Sequence, residues 1–242
     1  MRATAPPRSS EPRPWGAATR WLLFLGPFFF ATYGFANWLA SHRTGVGSVV
    51  FDWERAIPFL PWTVFPYWSI DLFYAASLFV CATRIELGTH ARRLLAAQLL
   101  CVACFLLFPL RFSFARPLSD GAAGALFALL GSFDLPFNQA PSLHIALLVI
   151  LWPLYARHAR GAWRLALHAW FALIGVSVLT TWQHHFVDLP TGAWVGFLCL
   201  WLFPDRGPAP LAGAAWSADP RRRRLAAYYA LGALACAGAA LA

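Results

Sequence analysis

Residues 21–40 read WLLFLGPFFFATYGFANWLA, twenty positions without one charged side chain. A helix of that length, at about 1.5 Å per residue, spans the ~30 Å hydrocarbon core of a bilayer. The run is too long for the apolar core of a signal peptide, and no convincing small-residue cleavage site follows it, so it reads as a retained anchor. The segment before it, 1–20, is rich in Pro, Arg and Ser and is expected to be a disordered tail.

Working outward from this anchor, further apolar runs occur near 66–83, 94–110, 142–156, 165–181, 189–204 and 225–242. The runs at 142–156 and 189–204 are short for a crossing, so the helix count is six or seven. Composition points the same way: 60% of the 242 residues are hydrophobic and 12% charged, with 21 Phe and 13 Trp. A soluble domain of this length has too little interior for so much apolar surface. The expected fold is all-α, a polytopic transmembrane helical bundle. Its expected parts are the tail 1–20, a membrane domain 21–204, a basic loop 205–224 and a C-terminal helix 225–242.

The net charge of +9 comes from 19 basic residues, every one an arginine. With the chain crossing at each apolar run, one side receives Arg2, Arg8, Arg13, Arg20, Arg84, Arg92, Arg93, Arg157, Arg160, Arg164, Arg206 and Arg221 to Arg224. The other side receives Arg43, Arg55, Arg111 and Arg116. The positive-inside rule makes the arginine-rich side cytoplasmic and starts the tail there. The poorer side is then extracytoplasmic, the periplasmic face of an inner membrane. Arg221 to Arg224 also fits a nucleic-acid patch. Wedged between two apolar runs, it reads instead as a topology anchor near lipid headgroups, and no nucleic-acid partner is expected.

Three segments face the arginine-poor side: 41–66, 111–141 and 182–188. The first carries Phe51, Trp53, Phe59, Trp62 and Phe65, the composition of an interfacial segment. The others hold Arg111 and Arg116-Pro117, then Pro141-Ser142-Leu143-His144, then Gln183-His184-His185-Phe186-Val187-Asp188. Two crossings separate the last two sets, so all of them meet at one membrane face. Phosphoester chemistry needs a nucleophile, an acid for the leaving oxygen and fixed positive charge. His184 fits the nucleophile, since Asp188 four residues on can hold its other ring nitrogen, and His144 fits the acid. Arg116 offers a planar fork for phosphate oxygens, with Arg111 assisting. Ser142 opens a helix whose unpaired amides favour an anion. This scheme requires no metal and no cofactor. His185 lacks a carboxylate four residues on and reads as a backbone partner in the turn.

The order Arg-Pro, Pro-Ser-x-His, His-x-x-x-Asp resembles the three-block signature of the type 2 phosphatidic acid phosphatase superfamily over roughly residues 66–204. The wording Ala140-Pro141-Ser142-Leu143-His144 and Thr181-Trp182-Gln183-His184-His185-Phe186-Val187-Asp188-Leu189-Pro190-Thr191-Gly192 is similar to its inositol phosphorylceramide synthase-like branch. The resemblance implies six core helices, with the 225–242 helix added, and a phosphohistidine at His184. It implies His144 as acid, Asp188 as orienter, Arg116 and Ser142 as phosphate ligands, and Ser177 as a further ligand. Two positions depart from the pattern. Pro109 stands seven residues before Arg116, where the family has Lys, and Val178 replaces the Arg that follows Ser177. The implied substrate is a lipid phosphate, hydrolysed by water or transferred to a lipid hydroxyl.

Other polar residues carry less. Asp71 lies a turn or two inside the outer end of the second helix, where an acid is expensive; it is expected either to bind an arginine of the site or a substrate headgroup, or to reach interfacial water. Asn138 and Gln139 suit a turn. His42, His90, His158 and His168 have no spaced partners and read as structural. Cys101 and Cys104 form C-x-x-C inside an apolar helix, and with Cys81, Cys199 and Cys236 also in apolar runs no disulfide is expected. Gly192 and Gly196 suit close helix packing. Two other classes compete: a haem or metal protein using His144, His184 and His185, and a non-catalytic transporter or scaffold.

Overall fold

A computed structural model describes residues 12–205 and 219–241 as helices joined by short links and two longer loops. The main helices are α1 (Trp15–Ser41), α2 (Val64–Val80), α3 (Arg84–Leu107), α4 (Gly121–Gly131), α5 (Leu143–His158), α6 (Gly161–Thr180), α7 (Asp188–Leu202) and α8 (Pro220–Leu241). Among the described residues extended structure is limited to isolated bridges, Gly47 with Leu110 and Leu110 with Asn138. The fold is all-α, and four stretches are long and apolar enough to cross a membrane: α1, α2 with its preceding turn, α3 and α6. The chain is therefore membrane-embedded. Residues 1–11, Arg206 with the rest of 206–218, and the Cys236 side chain lie outside the described residues.

Helix α5, of 16 residues, and α7, of 15, are shorter than these stretches, at about 22–24 Å by the helical rise. They form the inner pair of the bundle, each packed on α3, with α5 also meeting α2 and α6. Their contact is close because α7 presents glycine. A Cβ at Gly192 would collide with the Ser142 carbonyl oxygen, and one at Gly196 would lie 2.6 Å from Val149 Cβ and 2.8 Å from the Ala146 oxygen. Small residues spaced four apart let two backbones approach where no water drives association. Core side chains such as Ile150, Leu151, Phe171 and Ile174 fill the remaining space at 0% exposure.

Several expected boundaries move. Helix α1 begins at Trp15, so residues 15–20 of the expected tail are helical; Arg20 sits near the helix start, where a long cationic side chain reaches headgroup level. Helix α3 begins at Arg84 rather than 94. Its start is written in Thr83-x-x-Glu86: Thr83 Oγ1 caps the helix by accepting from the Glu86 amide at 3.1 Å, and Glu86 Oε2 accepts from the amide of the preceding Ala82 at 2.7 Å. The loop 111–141 contains α4, which starts after Asp120. Arg221 to Arg224 lie within α8 rather than in a loop, and α8 rests on α7 through Tyr229 against Trp194 and Trp201.

Arg93 of α3 and Arg157 of α5 find acids at one end of the bundle. Arg93, 3% exposed, pairs with Asp205 at 3.0 Å and donates to the Phe203 carbonyl at 2.8 Å. Arg157 bridges Asp205 and Glu86, and Glu86 also takes His158, which therefore does have a partner. Burial pushes the Asp205 carboxyl up, but Arg93 and Arg157 outweigh it and hold it below the usual carboxylate range. His90 meets the Ser77 hydroxyl at 2.7 Å, and His168 accepts from Trp152 Nε1 at 2.7 Å. Asp205→Ala leaves buried Arg93 with one carbonyl and is expected to cost about 1–3 kcal/mol, Asp205 being itself partly solvated. A lowered unfolding midpoint in detergent is the expected result, and an unchanged midpoint contradicts it.

Candidate functional site

The opposite end of the bundle gathers the motif residues, because α5 and α7 both begin there and α6 ends there. Ser142 is the N-cap of α5: its Oγ accepts from the Ile145 amide at 3.3 Å. The Ser142 amide in turn donates to the Asp188 carbonyl at 3.1 Å, joining the starts of α5 and α7 directly. Asp188 occupies the first turn of α7, where the helix end favours a carboxylate.

Helix α6 ends in a Schellman turn, in which Gln183 N donates to Val178 O and Trp182 N to Leu179 O. The left-handed position of that turn, usually glycine, is Trp182 at φ 53°. A non-glycine residue there stores about 1–2 kcal/mol of strain. Trp182 is held by Nε1 donating to Ile57 O at 3.2 Å and by rings of Phe59 and Phe114, each 5.6 Å away. The strained turn delivers His184 two residues later.

His184, 6% exposed, sits between two partners. Its Nδ1 is 3.0 Å from Asp188 Oδ2, and its Nε2 is 3.2 Å from Ser142 Oγ. With the carboxylate accepting from Nδ1–H, Nε2 carries the lone pair and accepts the Ser142 hydroxyl proton. Asp188 Oδ2 also accepts the His185 amide at 3.0 Å. His144, in the first turn of α5, stacks on Tyr67 with ring centres 4.2 Å apart, and its Nε2 is sealed from solvent with no hydrogen-bond partner. His144 and His184 line one cavity together with Tyr33, Tyr67, Asp71 and Asp134.

The cations stand differently from expectation. Arg116 donates from Nε to Thr181 O at 3.1 Å and from Nη2 to Trp182 O at 3.3 Å, with its guanidinium over Phe127 at 4.8 Å. It therefore caps the carbonyl end of α6, a favourable place for a cation, and two of its five N–H groups are used there. Burial lowers its pKa from the usual value. The Arg111 side chain is exposed, and its backbone amide donates to Gly47 O at 2.8 Å. Ser177 is buried within α6 and donates back to Ile174 O at 2.7 Å, so it is not among the groups lining the cavity. Val178 is a core residue.

Four residues that sequence reading passed over complete the site. Glu54 is 2% exposed; its Oε2 accepts from His185 Nδ1 at 2.8 Å and from the Phe186 amide at 3.0 Å. Ser113 donates its backbone amide to His185 Nε2 at 3.1 Å, which fixes the proton of that ring on Nδ1. His185 is thus a buried tie between the loops before α2 and after α3, not merely a partner for its own turn. Asp134 Oδ1 accepts from Tyr33 at 2.9 Å and from Asn37 at 3.2 Å. Burial raises the Asp134 carboxyl, against the lowering influence of Tyr33, His184, Asn37 and Arg116. Tyr67 is the platform under His144. Only Asp134, three residues after the end of α4, had a legible signal, as an acid beside an apolar helix. Asn138 and Gln139 donate to Tyr33 O and Gln183 O, tying the loop to α1 and to the α6–α7 turn.

Among the described residues no three His, Cys, Asp or Glu side chains gather as a metal-holding group. The chain matches no protein-family model, no curated protein and no solved structure. Gly192→Ala drives a methyl into the Ser142 carbonyl and must separate the two helix starts. It is expected to cost about 1–3 kcal/mol of stability. A melting curve in detergent that matches the wild type would contradict the close approach.

Proposed function

We propose that this protein is an integral-membrane phosphoesterase of the type 2 phosphatidic acid phosphatase kind, acting on lipid phosphates through a phosphohistidine at His184. The observation that carries the reading is the placement of His184: Asp188 holds Nδ1 at 3.0 Å and the Nε2 lone pair faces Ser142 Oγ at 3.2 Å, beside a cavity shared with His144. An imidazole so oriented is a nucleophile with its developing positive charge already countered.

In this reading the substrate phosphate displaces the Ser142 hydroxyl from Nε2, and that hydroxyl turns to a phosphate oxygen. Nε2 bonds to phosphorus, the bond from phosphorus to the lipid oxygen breaks, and His144 donates the proton that the leaving oxygen needs. Water, or the hydroxyl of a second lipid, then attacks phosphorus and gives its proton back to His144 as the P–N bond breaks. Arg116 firms the turn that presents His184, and its remaining N–H groups offer donors to the transferred group.

The arginine distribution supports an orientation with the N-terminus cytoplasmic and the site on the extracytoplasmic face of an inner membrane, with α5 and α7 among six core crossings and α8 a seventh. Ser142 with His184 and Asp188 also has the geometry of a hydroxyl nucleophile with its base, which is the second reading. Full-length protein in detergent is expected to release phosphate from a lipid phosphate panel. His184→Ala should lower turnover at least ~1000-fold and Asp188→Asn at least ~100-fold, by analogy with catalytic His and its orienting acid. Retained turnover in His184→Ala, with the protein folded, would sink the mechanism.

A further inference from the structure

The cavity beside His144 and His184 has no arginine in its lining. Its polar groups come from Tyr33, Tyr67, Asp71, Asp134, His144 and His184, with apolar side chains between them. A phosphoryl group under attack spreads negative charge over its outer oxygens, and those oxygens need donors already in place. Arg116 stands outside this lining, with two of its N–H groups held by carbonyls.

Elimination among the lining groups leaves one donor. Tyr33 spends its hydroxyl proton on Asp134 Oδ1 at 2.9 Å. Asp71 and Asp134 are acids, and the two histidines are taken up by nucleophilic attack and proton transfer. Tyr67 differs from all of these. It is 7% exposed, and its hydroxyl has no hydrogen-bond partner among the described residues. Yet that oxygen is not sealed in, so the small accessible part of the residue includes it. Buried phenols normally find a partner, and this one has its proton free beside the reactive imidazole.

Two sets of contacts fix where the hydroxyl stands. The Tyr67 ring stacks on His144, with centres 4.2 Å and planes 19° apart. The chain entering α2 is tied to the end of α6: Thr180 Oγ1 donates to Thr63 Oγ1 at 2.9 Å, and the Leu60 amide donates to the Thr180 carbonyl at 2.8 Å. Tyr67 lies one turn beyond Thr63, and His184 lies four residues beyond Thr180, so one junction carries both the phenol and the imidazole. A neutral donor also suits this space, because a cation placed in it would be drawn to Asp71 and Asp134.

We propose that Tyr67 is a further catalytic residue, whose hydroxyl donates to an outer oxygen of the phosphate that His184 attacks. An O–H bonded to an anionic oxygen is among the strong hydrogen bonds, and it tightens as charge builds there. The catalytic arm rests on the phosphohistidine reading; the anion-binding arm rests on the cavity alone.

The test compares full-length wild type, Tyr67→Phe and Tyr67→Ala in detergent. Dioctanoyl phosphatidic acid is the turnover probe, and inorganic phosphate is the binding probe, followed by phosphorus NMR titration. Phe keeps the ring on His144 and removes the oxygen, whereas Ala removes both. Tyr67→Phe is expected to lower kcat/KM about 100-fold, the loss typical of one transition-state donor, with the unfolding midpoint unchanged. It should weaken phosphate binding at least ~5-fold, and para-aminophenylalanine in place of Tyr67, which returns an N–H donor, should recover at least ~10-fold of the lost turnover. A packing role predicts the opposite pattern: Tyr67→Phe equal to wild type and Tyr67→Ala alone impaired. That pattern overturns the proposal, as does lost turnover with phosphate binding intact, or a wild type that binds no phosphate. Unfolding of Tyr67→Phe would show the hydroxyl to be bonded within the protein and overturns it too. Weakened phosphate binding in Tyr67→Phe, with no turnover of any lipid phosphate by the wild type, leaves the hydroxyl site in place and removes the phosphohistidine reading instead.

Discussion

Everything at the site depends on two helix starts held at backbone contact. The Ser142 amide donates to the Asp188 carbonyl, and Gly192 leaves room for the Ser142 carbonyl against α7. This contact sets the distance between Ser142 Oγ and His184 Nε2, since Ser142 caps one helix and Asp188, which orients the imidazole, opens the other. In lipid there is no hydrophobic gain in bringing two apolar helices together, so the approach must come from packing of small residues and from polar groups that find one another. Gly192 and Gly196 supply the first, and the Ser142, His184 and Asp188 set supplies the second.

The surrounding loops then face a polar-satisfaction problem, because buried backbone and side-chain groups near a membrane lose water as a partner. They solve it by crossing over the site. Glu54 from the loop before α2 binds His185, and Ser113 from the loop after α3 binds the other side of that ring. Arg116 takes the carbonyls at the end of α6. These contacts turn three separate segments into one cover whose attachment points are the residues flanking His184. The adjacent histidines have divided the work: His184 faces the cavity, and His185 anchors the cover.

Much of this was legible in the sequence, for identifiable reasons. Long uncharged runs such as 21–40 define helices by length alone, and the spacing of His184 and Asp188 places both on one turn, so the all-α fold and the central pair could be read directly. The start of α3 was also readable, from Thr83-x-x-Glu86, but the arginines beyond it drew attention to a loop; their partners, Asp205 and Glu86, come from distant or adjoining segments that no local pattern joins. Glu54 is separated from His185 by 131 positions, and nothing in the loop's aromatic composition marks it as different from its neighbours. Arg116 was readable as a site residue but not by its bonds, because an Arg-Pro pair says nothing about which carbonyls lie across from it.

The central claim is that His184, and not the Ser142 hydroxyl beside it, forms the bond to phosphorus. Brief reaction with a radiolabelled lipid phosphate, followed by denaturation and peptide mapping, tests it most directly. The account predicts label on His184 that is lost in acid and stable in base. Acid-stable label on Ser142, or turnover with no labelled protein at any time, would contradict it.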